Sequence, residues 1–209
     1  MNRTLTFWLL LLASLATLVV APGCIFSPDD SGGGGGGGGG TVQYPWPDTP
    51  DKLMTNFKNA YENRDIDAYR DVLDTDYKFV FAEGTDGMDP RGYWLREDEL
   101  ASATNMFSGD PHTNSQGVLA PGISDISFDI LVPQGVWEDV PENDPDFGAP
   151  GVKKRLYQVR IVLSHSDGTY TISSQQLFWV IPREVDDGTG ATRVRWYLYG
   201  QQDLATNQP

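Results

Sequence analysis

Between Thr49 and Glu83 the spacing of apolar residues changes, and that change restricts the fold more than any other feature of the chain. Leu53, Met54, Phe57, Ala60 and Tyr61 recur at helical spacing and make one stripe. Thr49 is a good N-cap, Pro50 fits the first helical position and Asp51 places negative charge at the positive end of the helix. Asn63-Arg64-Asp65 interrupts the stripe. Asp65 then caps a second, short helix with Ile66, Tyr69, Val72 and Leu73 on its buried side. From Asp76 the period is two, with Tyr77, Phe79 and Phe81 on one face and Lys78, Val80 and Ala82 on the other. Two capped helices leading into an aromatic strand open an α+β domain.

The remaining chain supplies a third helix and a sheet. The pattern predicts a helix over Trp94 to Phe107, with Leu100, Ala103, Met106 and Phe107 inward. Its Glu97-Asp98-Glu99 cluster falls in the first turn, where the helix dipole favours acids. Ile126, Phe128, Ile130 and Val132 alternate as a strand that continues through Gly135-Val136-Trp137 after a bulge at Pro133. Asp167-Gly168 is a hairpin turn signal between two long alternating runs. That turn pairs Leu163 with Ile172, Ile161 with Ser174, Val159 with Gln176 and Tyr157 with Phe178 on the buried face. Arg160 and Gln175 fall on the opposite face. Val194, Trp196 and Leu198 close the sheet, with Arg193, Arg195, Tyr197 and Tyr199 outward, and the tail frays after Asp203.

This succession resembles the start of the nuclear transport factor two-like, or SnoaL-like, superfamily: a capped helix ending in Ala60-Tyr61, an Asp-led short helix, an aromatic strand, then Trp94-Leu-Arg-Glu-Asp-Glu-Leu100. The resemblance covers Tyr44 to Leu204. It implies a cone of three N-terminal helices packed on a strongly curved antiparallel sheet, with a cavity between them. It implies that Phe57, Tyr61, Tyr77, Phe79, Phe81, Trp94, Phe107, Phe128, Tyr157, Ser174, Gln176, Phe178 and Trp196 line the cavity. It also implies that homodimers form through the open sheet. Fold alone does not fix activity.

Ahead of this domain lie an address and a tether. Phe7 to Ala21 is apolar apart from Ser14 and Thr17, about 20 Å of helix against a core of ~30 Å, which reads as a signal-peptide core. Ala21-Pro22-Gly23-Cys24 resembles a bacterial lipobox, in which the cysteine is lipidated and becomes the mature N-terminus. Cys24 is the single cysteine of the chain, so it has no intramolecular disulfide partner. Ile25 rather than Asp follows it, which the sorting rule of such proteins reads as outer membrane. Nine glycines, Gly32 to Gly40, cannot build a core and make a tether spanning about 25 Å from Cys24 to Tyr44. The domain boundaries expected are thus 1–23 signal, 24–43 tether, 44–204 folded and 205–209 frayed.

The chain carries 15 basic and 29 acidic residues, a formal charge of −14, and such a surface repels nucleic-acid backbones. Cofactor motifs and metal-ligand spacings are lacking, and Glu138 to Gly151, though acidic, does not follow the EF-hand pattern. Enzymes of the resembling superfamily need an inward carboxylate or His as base and a donor for the oxyanion. The alternation puts no Asp, Glu or His inward. Asp76 and Glu83, with Tyr61 and Tyr77 as donors, are the remaining candidates. The reading expected is therefore a membrane-tethered, non-catalytic envelope domain. It would bind a small apolar ligand, or a protein partner through an Arg160, Gln175, Arg193 and Arg195 surface. The alternatives are a small-molecule isomerase, dehydratase or cyclase and a dimeric scaffold.

Overall fold

The computed structural model describes residues 42–82, 91–113 and 117–204; the signal, most of the tether with Cys24, and Glu83 lie outside these residues. Helix α1 spans Pro50–Glu62, with the Thr49 hydroxyl accepting from the Lys52 amide. Arg64 turns the chain with a left-handed backbone, φ 51°. Helix α2 spans Ile66–Val72, and its Asp65 cap accepts from the Ala68 amide at 2.9 Å. Strand β1 is Leu73–Val80, starting and ending three residues earlier than the sequence pattern suggests.

Tyr93–Leu95 is a short strand, β2, and helix α3 runs only from Arg96 to Ser108. The expected helical Trp94 therefore lies on a strand, paired with Phe79. The helix starts at Arg96 because the Asp98 carboxylate accepts from the Leu95 amide at 3.1 Å, half of a capping box. Gly109 ends it with φ 75°, and a Cβ there would lie 3.2 Å from the Ile123 carbonyl oxygen.

Two short strands, β3 (His112–Thr113) and β4 (Leu119–Ala120), pair with each other. Strands β5 (Ile123–Asp139), β6 (Lys153–His165), β7 (Gly168–Asp186) and β8 (Thr192–Leu204) complete the sheet, ordered β2-β1-β8-β7-β6-β5. All neighbours are antiparallel except β1 and β8, which run parallel. The sheet is thus mixed rather than purely antiparallel, because the long connection from β1 through α3 and the β5–β7 strands lets β8 enter beside β1 in the same direction.

The β6–β7 hairpin turns at Ser166-Asp167 rather than Asp167-Gly168, so Leu163 pairs with Tyr170, Ile161 with Ile172, Val159 with Ser174 and Tyr157 with Gln176. The slip is two residues along β7. An even slip keeps every side chain on its face, so the inward set survives the wrong pairing. At the hairpin end that face runs out of cover, and Ile172 is exposed. Pro133 sits in register with Tyr157 on edge strand β5, and the irregularities lie on either side of it, between Phe128 and Ile130 and between Gln134 and Glu138.

Two apolar clusters flank the sheet. The inner one joins the three helices to the concave face through Leu53, Phe57, Tyr69, Tyr77, Phe107, Phe128, Val159 and Phe178. The outer one comes from the β5–β6 connection, which folds across the convex face and brings Val140, Phe147 and Val152 onto Trp179 and Ile181. Phe147 stacks on Trp179 with ring centroids 4.0 Å apart. A Cβ at Gly200 would come within 2.1 Å of the Phe147 ring, so only glycine fits there.

Candidate functional site

The inner face of the cone carries acids that the strand alternation did not place there. Glu99, in the first turn of α3, is 7 % exposed. Its Oε1 accepts from the Tyr69 hydroxyl at 2.7 Å and lies 3.3 Å from the Tyr61 hydroxyl. The two tyrosines face each other edge to face at 4.9 Å, and Phe57, Phe107 and Phe128 enclose them. Glu99 Oε2 has no hydrogen-bond partner among the described residues. Burial pushes the Glu99 carboxyl up from the ordinary value. The two tyrosine hydroxyls act against that shift, and the nearby Asp203 adds to it.

A second acid closes a directional chain. The Tyr77 hydroxyl donates to Gln201 Oε1 at 3.3 Å, Gln201 Nε2 donates to Gln176 Oε1 at 2.9 Å, and Gln176 Nε2 donates to Asp203 Oδ1 at 2.6 Å. The Ser174 hydroxyl adds a longer contact to the same oxygen, 3.4 Å. Burial raises the Asp203 carboxyl, partly offset by Gln176 and Ser174. Among the described residues no Lys or Arg is ion-paired to either acid. The site therefore holds two carboxyls, each with one oxygen held by donors; aromatic rings surround Glu99, and amide and hydroxyl groups hold Asp203. Such groups accept a hydrogen bond from a neutral ligand or exchange a proton with it.

This corrects the expectation of an interior without acids. Glu99 precedes Ala103 and Met106 by four and seven residues, so it belongs to their stripe, and the dipole explanation of the acidic cluster hid that spacing. Asp203 turns inward because β8 carries one extra residue, Tyr199, between the Leu198 and Gly200 pairings, which inverts the alternation beyond it. Gly200 within the strand was the available signal. Strand β8 reaches Leu204, the last of the described residues.

Of the candidate bases, Asp76 is 71 % exposed at the side chain, 3.7 Å from Arg183, and plays no part in the interior; Glu83 lies outside the described residues. Tyr61 and Tyr77 both reach the polar network. Phe57, Phe79, Phe81, Trp94, Phe107, Phe128, Tyr157 and Phe178 lie in the inner cluster, with Trp196 packed against it and Gln176 buried. Val194, expected inward, is exposed near the open end of β8.

The arginine surface divides. Gln175 pairs with Leu204 and Arg183 with Arg195, so the Arg160–Gln175 end and the Arg193–Arg195 end lie roughly 27 Å apart along β7. Arg160 meets Asp129, Arg193 meets Asp187 and Arg195 meets Asp71, and Trp46 lies under both Arg193 and Arg195. No group of acids, histidines or cysteines among the described residues is arranged to hold a metal ion.

No protein-family model matches the chain, and no curated protein does. Solved structures do. One is a candidate aromatic ring hydroxylase from Novosphingobium aromaticivorans, at 15 % identity and TM-score 0.49 over 76 % of this chain and 87 % of that one. Another is a candidate dehydratase of the nuclear transport factor two-like family from Streptomyces avermitilis, at 12 % identity and TM-score 0.45 over 77 % and 100 %. A third is an uncharacterized Caulobacter vibrioides protein with a cystatin-like fold, at 12 % identity and TM-score 0.43 over 75 % and 87 %. The chain, three helices on a curved sheet, is similar in fold to nuclear transport factor two-like and cystatin-like proteins.

Proposed function

We propose that this chain is an envelope lipoprotein, tethered through Cys24, whose cone domain binds a small, neutral, largely apolar molecule carrying a hydroxyl or carbonyl group. The observation that carries the binding reading is the Glu99 carboxyl, enclosed by rings, held by Tyr69 through one oxygen and without a hydrogen bond on the other. A buried acid without a cation is costly. It favours a ligand that hydrogen-bonds to it without adding negative charge. The aromatic walls suit the apolar remainder of such a ligand. The tether rests on the lipobox-like Ala21-Pro22-Gly23-Cys24 and the glycine run.

The test of binding is quenching of intrinsic fluorescence by 2-naphthol. Saturable quenching in the wild type, weakened about tenfold in Glu99→Ala, supports the reading. Quenching that never saturates, or that Glu99→Ala leaves unchanged, removes it. Mass spectrometry of the mature chain tests the tether: an unmodified Cys24 or an intact Met1 would end that part.

One observation favours a second reading. Burial raises the Glu99 carboxyl, and Tyr61 and Tyr69 stand beside it as hydroxyl donors. That is the composition of a base with an oxyanion partner, as in an isomerase or dehydratase. Deuterium uptake at the α-carbon of a bound ketone, abolished by Glu99→Gln, would establish it.

A further inference from the structure

Glu99 and Asp203 stand at the two ends of one line of hydrogen-bonding groups. From Glu99 Oε1 the line passes to the Tyr69 hydroxyl at 2.7 Å, and the Tyr77 hydroxyl is a hydrogen-bond neighbour of Tyr69. From Tyr77 it runs through Gln201 and Gln176 to Asp203 Oδ1. Tyr69 and Tyr77 are fully buried and the two glutamines nearly so, which leaves bulk water little access to these links.

One proton is missing from this line when both acids are ionised. Tyr69 then donates to Glu99, Tyr77 to Gln201, Gln201 to Gln176 and Gln176 to Asp203. The link between Tyr69 and Tyr77 is left with two oxygens and no proton, which is unfavourable for buried groups. One further proton on Glu99 Oε1 repairs it. Glu99 then donates to Tyr69 and Tyr69 to Tyr77, and every link points from Glu99 towards Asp203. Hydrogen bonds aligned in one sense polarise and strengthen one another.

The same proton on Asp203 would require both glutamine amides to turn over. Burial also favours Glu99 as its holder. Glu99 is buried, whereas Asp203 is only partly so, and Asp203 Oδ1 already receives Gln176 at 2.6 Å and Ser174 at 3.4 Å. The groups facing the acids are uncharged: Tyr61 of α1 and Tyr69 of α2 at Glu99, Ser174 and Gln176 of β7 at Asp203. Without a cation between them, two such acids do not both ionise readily.

We propose that Asp203 is a positioning residue for Glu99: as the anion at the far end of the line it sets the direction of every hydrogen bond in it, and so keeps Glu99 neutral. This rests on the reading of Glu99 as the polar group of the ligand site, and it narrows that reading. With the proton on Oε1, directed at Tyr69, Oε2 is a carbonyl oxygen. It accepts from a hydroxyl and offers nothing to a carbonyl, so the ligand class is an uncharged alcohol or phenol.

The test is a carbon-13 NMR titration of the side-chain carboxyls in the full chain, with no ligand present. The expected result is that Asp203 ionises first as pH rises and Glu99 keeps its proton beyond that midpoint. Asp203→Asn should move the Glu99 midpoint down. Gln201→Met keeps the Asp203 charge but breaks the line beside Tyr77. The Tyr77 hydroxyl is then free to donate to Tyr69, which supports an ionised Glu99, so the midpoint should again move down, by less. A direct charge effect would spare Gln201→Met, so an unchanged midpoint in that variant overturns the proposal, as does an unchanged midpoint in Asp203→Asn. Ionisation of Glu99 before Asp203 in the wild type overturns it without any variant. These titrations can fail while saturable quenching by 2-naphthol holds, and that quenching can fail while they succeed.

Discussion

On the inner face of the sheet, Phe57, Phe107, Phe128 and Phe178 meet tyrosines and one another edge to face or tilted, and a carboxyl lies among them. On the outer face, Phe147 lies flat on Trp179, and the charge beside it is the Lys78 ammonium, 4.6 Å from its ring centroid. The residue types are the same and the electrostatics are opposite. A cation over a ring is attracted by its quadrupole, and Lys78 also meets Asp146 at the surface. The Glu99 carboxyl takes its hydrogen bonds from two tyrosine hydroxyls and has no cation beside it among the described residues. The outer cluster therefore has a sufficient account as packing. The inner one retains polar groups that packing alone does not favour, which is where a binding or proton-transfer role is to be sought.

Four substitutions would break or sharpen this contrast. The largest effect is expected from Phe178→Ala, which removes a fully buried ring joining Phe57 to Tyr157. It should cost about 3–5 kcal/mol in denaturant unfolding. A smaller loss than in Phe147→Ala would mean that the outer cluster holds the fold. Next, Gly200→Ala should cost roughly 1–3 kcal/mol by forcing Phe147 off the sheet. Most of that should return in the double variant with Phe147→Leu, and failure to recover would place the strain in the β8 backbone.

Third, Tyr69→Phe leaves Glu99 Oε1 with only the 3.3 Å contact to Tyr61. A cost of about 1–2 kcal/mol is expected, together with a further upward shift of the Glu99 carboxyl observable by carbon-13 NMR. An unchanged titration would detach Tyr69 from the acid. The smallest effect concerns pH. Because the folded-state Glu99 carboxyl is raised, the native state binds more protons than the unfolded chain above the ordinary glutamate range. Stability should therefore fall as pH rises from that range through the folded value. Glu99→Gln should flatten this slope, and an identical slope in the variant would show that Asp203 or another group is responsible.

Much of the fold was legible because it depends on short-range pattern. The Thr49 and Asp65 caps, the Leu53-Phe57-Ala60 stripe and the inward Tyr77, Phe79 and Phe81 follow from side-chain direction along a single element. The β6–β7 faces were legible although their pairing was not, since period two is insensitive to an even slip. The candidate site was less so. Tyr61 and Tyr77 were visible as inward tyrosines, whereas Glu99 was masked by a competing reason for acids at a helix start.

By itself the sequence determined the order of helices and strands, the aromatic inner face and the acidic exterior, because each depends on neighbours a few residues apart. It also set out Cys24 and the glycine tether as expectations. Only the tertiary structure decided that Asp203 faces inward and that Phe147 seals the convex face against Gly200. A single extra residue at Tyr199 inverts a strand's phase. Contacts between residues 53 positions apart, such as Phe147 and Gly200, arise only when separate elements pack. Local periodicity carries no information about which distant side chains will meet.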